Sequence, residues 1–234
     1  MIQNSVLAAV PRKEQRLLLA GLEEVTLTFG DVLYEPGDKI HHVYFPVTSL
    51  ISLLVLADGH LALEVGLIGR DGMVGIPLIL GHERSPVRAL VQGSGPALRM
   101  TAAHLLREFR LSAPLRKELY RYTHALMAQT AVCNRHHTVE QQLCRWLLLS
   151  LDRLPSNELV MTQKLIANML GVRREGVTEA AGRLQAARLI DYSRGKIVVL
   201  DRPGLEARVC ECYAVVKRES DRLLDGIAIA GRFA

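Results

Sequence analysis

Three residues at fixed offsets carry the most specific chemistry in this sequence. Counting Gln163 as the first position, the fifth is Ala167, the ninth is Gly171 and the fifteenth is Val177. Each type has a physical reason. Ala167 is small where a second helix must cross the first. Gly171 supplies the left-handed backbone of a tight inter-helix turn. Val177 and Leu184 bury the inner face of the second helix. Thr162 can cap the first helix, which runs to about Met169, and the second runs from about Arg174 to Ala187. The pattern predicts a helix-turn-helix, a unit that lays its second helix in the major groove of duplex DNA. Leu189 to Tyr192, Ser193-Arg194-Gly195 and Lys196 to Leu200 then read as a two-stranded wing with a basic tip.

Other reactive residue types lack the spacing their chemistry needs. Four cysteines in 234 residues do not make a disulfide framework. Cys210 and Cys212 stand two apart on what reads as one helix opened by Asp201 and Pro203. Their side chains are expected on nearly opposite faces, so no metal is assigned to them. His136 and His137 diverge by about 100° on a helix, and a polar hinge is preferred to a metal or haem site. Gly66, Gly69 and Gly72 are not framed by strand, turn and helix, and read as β-turns rather than a dinucleotide fingerprint. There is no GxSxG elbow, P-loop or HExxH motif, so an enzyme is not expected.

The helix-turn-helix needs a scaffold, and the rest of the chain supplies one. Residues are 49% hydrophobic and 23% charged, which argues against wholesale disorder. The longest apolar stretch, Leu50 to Ala57, contains Ser52 and falls short of the roughly 20 residues of a membrane helix. No basic residue precedes the short N-terminal apolar patch, so a secretory signal is not expected and the cytoplasm is the default. Residues 1–155 carry 16 Lys/Arg against 14 Asp/Glu (+2), and residues 156–234 carry 13 against 10 (+3). That excess suits a polyanionic partner and equally suits solubility.

From about Glu24 to Met100 the chain reads as short strands between turns, the pattern of an antiparallel sandwich or barrel. Glu35-Pro36-Gly37-Asp38 is a turn, and Asp58-Gly59-His60 a hairpin. Helical residues around Arg12 to Ala20 precede it. Thr101 can cap a short helix, and Ser112 with Pro114 opens a long one. On the long helix Leu119, Tyr122, Leu126, Gln129 and Cys133 are spaced 3, 4, 3, 4, a heptad seam with one polar position. Self-association through this narrow stripe is favoured over packing on its own β domain. Thr138 and Gln141 make a capping box for a further helix whose broad apolar face includes Val139, Leu143, Trp146 and Leu147.

With these elements in place, the chain resembles the CRP/FNR family of bacterial transcription regulators over nearly its whole length. The resemblance rests on MTQKLIANMLGVRREGVTEAAGRLQAARLIDYSRGKIVVL and VEQQLCRWLLL, with VLYEPGD, HHVYFP and GRDGMVG resembling that family's β-roll. It implies an α+β fold with a jelly-roll-like, cyclic-nucleotide-binding-like antiparallel β-roll over residues 1–110. A dimerisation helix over 111–137 and a winged helix-turn-helix over 138–234 would follow. It further implies a homodimer on double-stranded DNA, with RNA polymerase as a further partner if it activates, and no membrane. The family's recognition helix begins with an Arg-Glu pair, here Arg174-Glu175. Arg174 can donate to guanine O6 and N7, and Glu175 can accept from cytosine N4. Glu179 stands where some members read the groove with an arginine; it either reads a cytosine or is neutralised by Arg173 or Arg183. Thr162, Arg173, Thr178, Arg194 and Lys196 are candidates for phosphate contacts. Gly176, inside the helix, either lets the backbone approach DNA closely or is weak helix propensity without a role.

The effector side departs from the family pattern. Members that bind cyclic AMP grip the ribose with a Gly-Glu segment, and here Gly75-Ile76 stands in its place. Arg84-Ser85, with Arg88 nearby, can still hold an anion, though a solvated loop is preferred. Cyclic AMP is therefore not the expected effector, and no cofactor is assigned. An FNR-type iron–sulfur centre needs an N-terminal cysteine cluster, and no cysteine precedes Cys133. A regulatory module acting on a protein partner is the alternative reading, but it has no need of Ala167, Gly171, Arg174, Glu175 or the basic wing.

Overall fold

Alternating apolar residues in the first hundred positions close into two antiparallel sheets. In the computed structural model, which describes residues 3–57, 61–130 and 137–230, strands β1 (Leu22–Leu27), β7 (Gly95–Thr101) and β3 (His42–Pro46) form one sheet in that order. The other runs β2 (Val32–Tyr34), β6 (Arg88–Gly93), β4 (Leu50–Ala57), β5 (Leu61–Ile68). All pairings are antiparallel. Val43, Phe45, Ile51, Ala89, Val91 and Ala97 are fully buried between the sheets. Each large apolar side chain so buried is worth about 1.5–3 kcal/mol. The turn after β2 forms as expected: the Glu35 N–H donates to Asp38 Oδ2 at 2.8 Å, and Gly37 takes φ +91°. Asp58-Gly59-His60 lies outside the described residues, but β4 and β5 pair up to Ala57 opposite Leu61.

Helices α1 (Ser5–Ala8) and α2 (Arg12–Leu19) precede the roll, and α3 (Ala102–Leu111) leaves it under a Thr101 cap. Helix α4 (Ala113–Thr130) follows, with the Leu115 N–H donating to Ser112 Oγ. Here one expectation is corrected. Leu119 and Tyr122 are 0% and 3% exposed within the single chain, and Leu126 packs on the same core. Gln129 Oε1 accepts the Leu67 N–H of β5 at 3.1 Å. Leu119 and Tyr122 of the seam therefore close the roll rather than facing a second copy, and half-buried Leu126 and Gln129 pack on the same roll; Cys133 lies outside the described residues. The outward stripe of α4 is Lys117, Tyr120, His124 and Met127.

Helix α5 (Val139–Arg153) starts at the Thr138–Gln141 capping box and buries Leu143, Trp146 and Leu147. Its last residue reaches back to the roll: Arg153 Nη2 lies 2.8 Å from Asp71 Oδ2. Gly69 makes this approach possible, and Gly72 does the same for Tyr122. A Cβ on Gly69 would stand 2.5 Å from Arg153 Cβ, and one on Gly72 would stand 2.4 Å from Tyr122 Oη.

The C-terminal part comprises β8 (Glu158–Val160), α6 (Gln163–Leu170), α7 (Arg174–Ala186), β9 (Ile190–Ser193), β10 (Lys196–Val199), α8 (Arg202–Glu206) and α9 (Glu211–Ala230). The wing has three strands, in order β8-β10-β9, rather than two. Three residues of β8 are too few to show alternation. The last helical stretch is broken: α8 ends at Glu206, and α9 begins only at Glu211. Helix α9 then lies against α4, where Arg121 Nη2 donates to the Arg222 carbonyl at 2.6 Å. No helix among the described residues is long and apolar enough to cross a membrane. The chain is thus α+β, with an antiparallel roll, a long helix and a winged helix-turn-helix.

Candidate nucleic-acid interface

The turn between α6 and α7 is set by backbone geometry. Gly171 adopts φ +65°, ψ +32° and ends α6, and the Val172 N–H donates to the Ala167 carbonyl at 2.9 Å. A left-handed residue there favours glycine because other side chains clash with the backbone. Ala167 is 3% exposed and Val177 and Leu184 are fully buried, so the two helices are locked face to face. The opposite face of α7 is presented outward. Arg173, Arg174, Glu175, Thr178 and Glu179 are all exposed, with Arg173 at the N-cap and Arg174 and Glu175 in the first turn. Amide N–H groups at a helix start add partial positive charge to that end.

The remaining nominated residues are also at the surface. Thr162 Oγ1 caps α6 by accepting the Leu165 N–H at 3.3 Å. The Thr178 hydroxyl is 2.8 Å from Gln163 Oε1 and 3.0 Å from the Arg174 carbonyl. Arg194 and Gly195 occupy the wing tip with φ +49° and +79°. Positive φ at both central positions is the two-residue hairpin turn that matches strand twist. Lys196 Nζ lies 2.7 Å from Glu158 Oε2 on the neighbouring strand. Glu179 is not fully neutralised: Arg183 Nη1 comes only to 4.0 Å, while Arg183 Nε sits 2.7 Å from Glu140 Oε2. Arg183, and then Arg208, hold the Glu140 carboxyl below the usual range. Residues that sequence reasoning missed are therefore Gln163, Glu158 and Glu140, together with Tyr192. The Tyr192 hydroxyl donates to the Met161 carbonyl at 2.7 Å and fixes the wing beside α6.

The residues nominated for an effector are spread over turns of the roll. Gly75 has φ +118° and abuts Val43, and Ile76 opens a 3-10 helix with its side chain in the core. Arg84 Nη1 donates to the Gly37 carbonyl at 2.7 Å, and Ser85 Oγ donates to the Val87 carbonyl at 2.7 Å. Arg88 Nε is 2.8 Å from Glu35 Oε2. A groove of about 450 Å³ lies elsewhere, lined by Lys39, His41, His42, Thr101 and Leu106 among others, and by none of these five residues.

Against known proteins, residues 141–208 match the Crp-like helix-turn-helix domain family. No protein of curated function matches the sequence. Solved structures similar in fold include FixK2 from Bradyrhizobium japonicum, at TM-score 0.66 and 14% identity, covering 81% of this chain and 98% of that one. The c-di-GMP-responsive global regulator CLP from Xanthomonas campestris aligns at TM-score 0.64 and 18% identity, over 81% of this chain and 99% of that one. A CRP-family transcriptional regulator from Thermus thermophilus aligns at TM-score 0.62 and 16% identity, over 79% of this chain and 95% of that one.

Proposed function

We propose that this chain, whose residues 141–208 form a Crp-like helix-turn-helix domain carried on the fold of CRP/FNR regulators, is a sequence-specific DNA-binding transcription regulator. The observation that carries the reading is the exposed Arg174-Glu175 pair in the first turn of α7, held on the Gly171 turn. In the major groove Arg174 reads guanine and Glu175 reads cytosine. Thr162, Arg173, Thr178, Arg194 and Lys196 position the protein on phosphates, and Glu179 accepts from a cytosine. Residues 1–110 act as the sensor, 111–137 as the dimerisation helix and 138–234 as the DNA-binding unit, in the cytoplasm. The dimer forms on the outward stripe of α4, where Tyr120 and Met127 are 50% and 66% exposed. Two-fold symmetry then sets an inverted-repeat operator with half-site centres about 34 Å apart. RNA polymerase is the further partner if the protein activates. With Ile76 in the core and Arg88 paired to Glu35, the effector is not cyclic AMP.

Selection from a random duplex pool at fixed salt tests the assignment. Arg174→Ala should cost about 1–3 kcal/mol per half-site and relax the motif there. Lys196→Ala should weaken all sequences alike and make the salt slope shallower. An unchanged motif with Arg174→Ala would overturn the reading. Calorimetry should show no micromolar binding of cyclic AMP.

A further inference from the structure

The break between α8 and α9 alters the geometry of the C-terminal cysteines. Cys210 precedes the helix and Cys212 lies in its first turn, so the two sulfurs do not diverge as they would along one continuous helix. His137, one residue before the capping box of α5, completes the group: His137, Cys210 and Cys212 each place a ligand atom within 4.8 Å of the others. Cys212 Sγ and His137 Nδ1 are 3.7 Å apart. A tetrahedral zinc with ordinary bond lengths holds two sulfurs about 3.8 Å apart and a sulfur and a nitrogen about 3.6 Å apart. The cluster is thus within small side-chain adjustments of a coordination sphere.

A second, independent feature points the same way. His137 Nε2 lies 3.2 Å from Glu211 Oε1. In the tautomer that donates from Nε2 to this carboxylate, Nδ1 keeps its lone pair 3.7 Å from Cys212 Sγ. Carboxylate, imidazole and metal in series is the arrangement that orients most histidine ligands. Burial is also appropriate: Cys210 is 2% exposed, while Cys212 and His137 are partly open for entry.

We propose that His137 Nδ1, Cys210 Sγ and Cys212 Sγ form a binding site for a thiophilic divalent cation, zinc in the first instance, with Glu211 fixing the imidazole. Binding replaces the two thiol protons by the metal and releases them to solvent. The fourth corner of the tetrahedron is left to water or a further donor. The site ties the start of α5 to the start of α9, the two points where the chain enters and leaves the helix-turn-helix part. It does not depend on the DNA-binding reading.

Cobalt(II) is the probe, because tetrahedral thiolate-bound cobalt shows intense visible ligand-field bands and a near-ultraviolet sulfur charge-transfer band. The full chain, stripped with a chelator under reducing conditions, should take up one cobalt per protomer with both features and lose them to added zinc. His137→Gln and Cys212→Ser should weaken uptake at least tenfold. Glu211→Gln should weaken it about 10–100-fold, as removal of an outer carboxylate does. If a variant fails to fold, alkylation of the wild type mapped by mass spectrometry gives the answer: zinc should protect Cys210 and Cys212 together. No tetrahedral cobalt spectrum in the wild type, an unaltered spectrum in folded His137→Gln, or alkylation unaffected by zinc would each overturn the proposal.

Discussion

Glu64 sits on β5 with its stem partly exposed and its carboxyl enclosed, accepting a hydrogen bond from the Ser52 hydroxyl. Burial pushes this carboxyl from 4.5 up to about 7, against the opposing pull of Ser52 and Arg145. Between those values the folded chain binds more protons than the unfolded one, so stability falls as pH rises through the interval, and the loss is complete above about 7. Denaturant midpoints measured at about pH 5 and pH 8 should therefore differ more in the wild type than in Glu64→Gln, which has no such proton to lose. Equal pH dependence in the two proteins would mean the carboxyl is not perturbed in this way. Individual side chains differ in how far the sequence announced them. The surface position of Arg174, Glu175 and Arg194 was legible, because helix and turn periodicity fixes which face a residue occupies. Glu158 beside Lys196, and Glu140 holding Arg183, were not. Their partners lie 38 and 43 residues away, and such pairings leave no local spacing.

Helix α4 shows why a heptad stripe alone does not identify a dimer seam. A helix in this position has two stripes, one closing its own domain and one facing outward, and both repeat at the same period. Leu119, Tyr122 and Leu126 form the more apolar one, and the core of the roll is where they went. Leu119→Ala should accordingly cost about 2–5 kcal/mol in urea unfolding, the range for deleting a buried leucine. Tyr120→Glu combined with Met127→Glu should cost about 0.5–1.5 kcal/mol through loss of the Tyr120–Phe109 edge contact, leave the chain folded, and convert the proposed dimer to monomer in sedimentation. A dimer that survives this pair would move the interface off the outward stripe. Caps and turns were the most legible features: Thr101, Thr138, Thr162 and Gly171 mark element ends where expected. The third wing strand and the break before α9 were not, since each depends on contacts made by only a few residues.

At the scale of the whole molecule the order of regions could be read from the sequence, while their mutual packing could not. Leu50, Leu54 and Leu67 of the roll share one apolar cluster with Trp146, Leu147 and the buried faces of α6 and α7. Gln92 Nε2 of β6 reaches Met169 Sδ of α6 at 3.7 Å. The Asp71–Arg153 pair adds a charged tie, with Arg153 only 2% exposed. Asp71→Ala would leave that guanidinium buried without its counter-charge, at a cost of about 3–5 kcal/mol. Thermal unfolding should show the loss, and Asp71→Ala with Arg153→Met should recover much of it. If the single substitution is neutral, water already solvates Arg153.

The seat of α6 on the roll also bears on the half-site spacing that the proposed dimer would tolerate. Adding one base pair between half-sites moves them about 3.4 Å apart and turns one about 34–36° around the duplex axis relative to the other. A reading head on a loose tether would follow that phase change, but one bolted to the roll through Leu50, Leu54, Gln92 and Met169 would not. Operators with the spacer lengthened or shortened by a single base pair should therefore be rejected steeply, and loosening the Gln92–Met169 contact should blunt that rejection before it changes which bases are read.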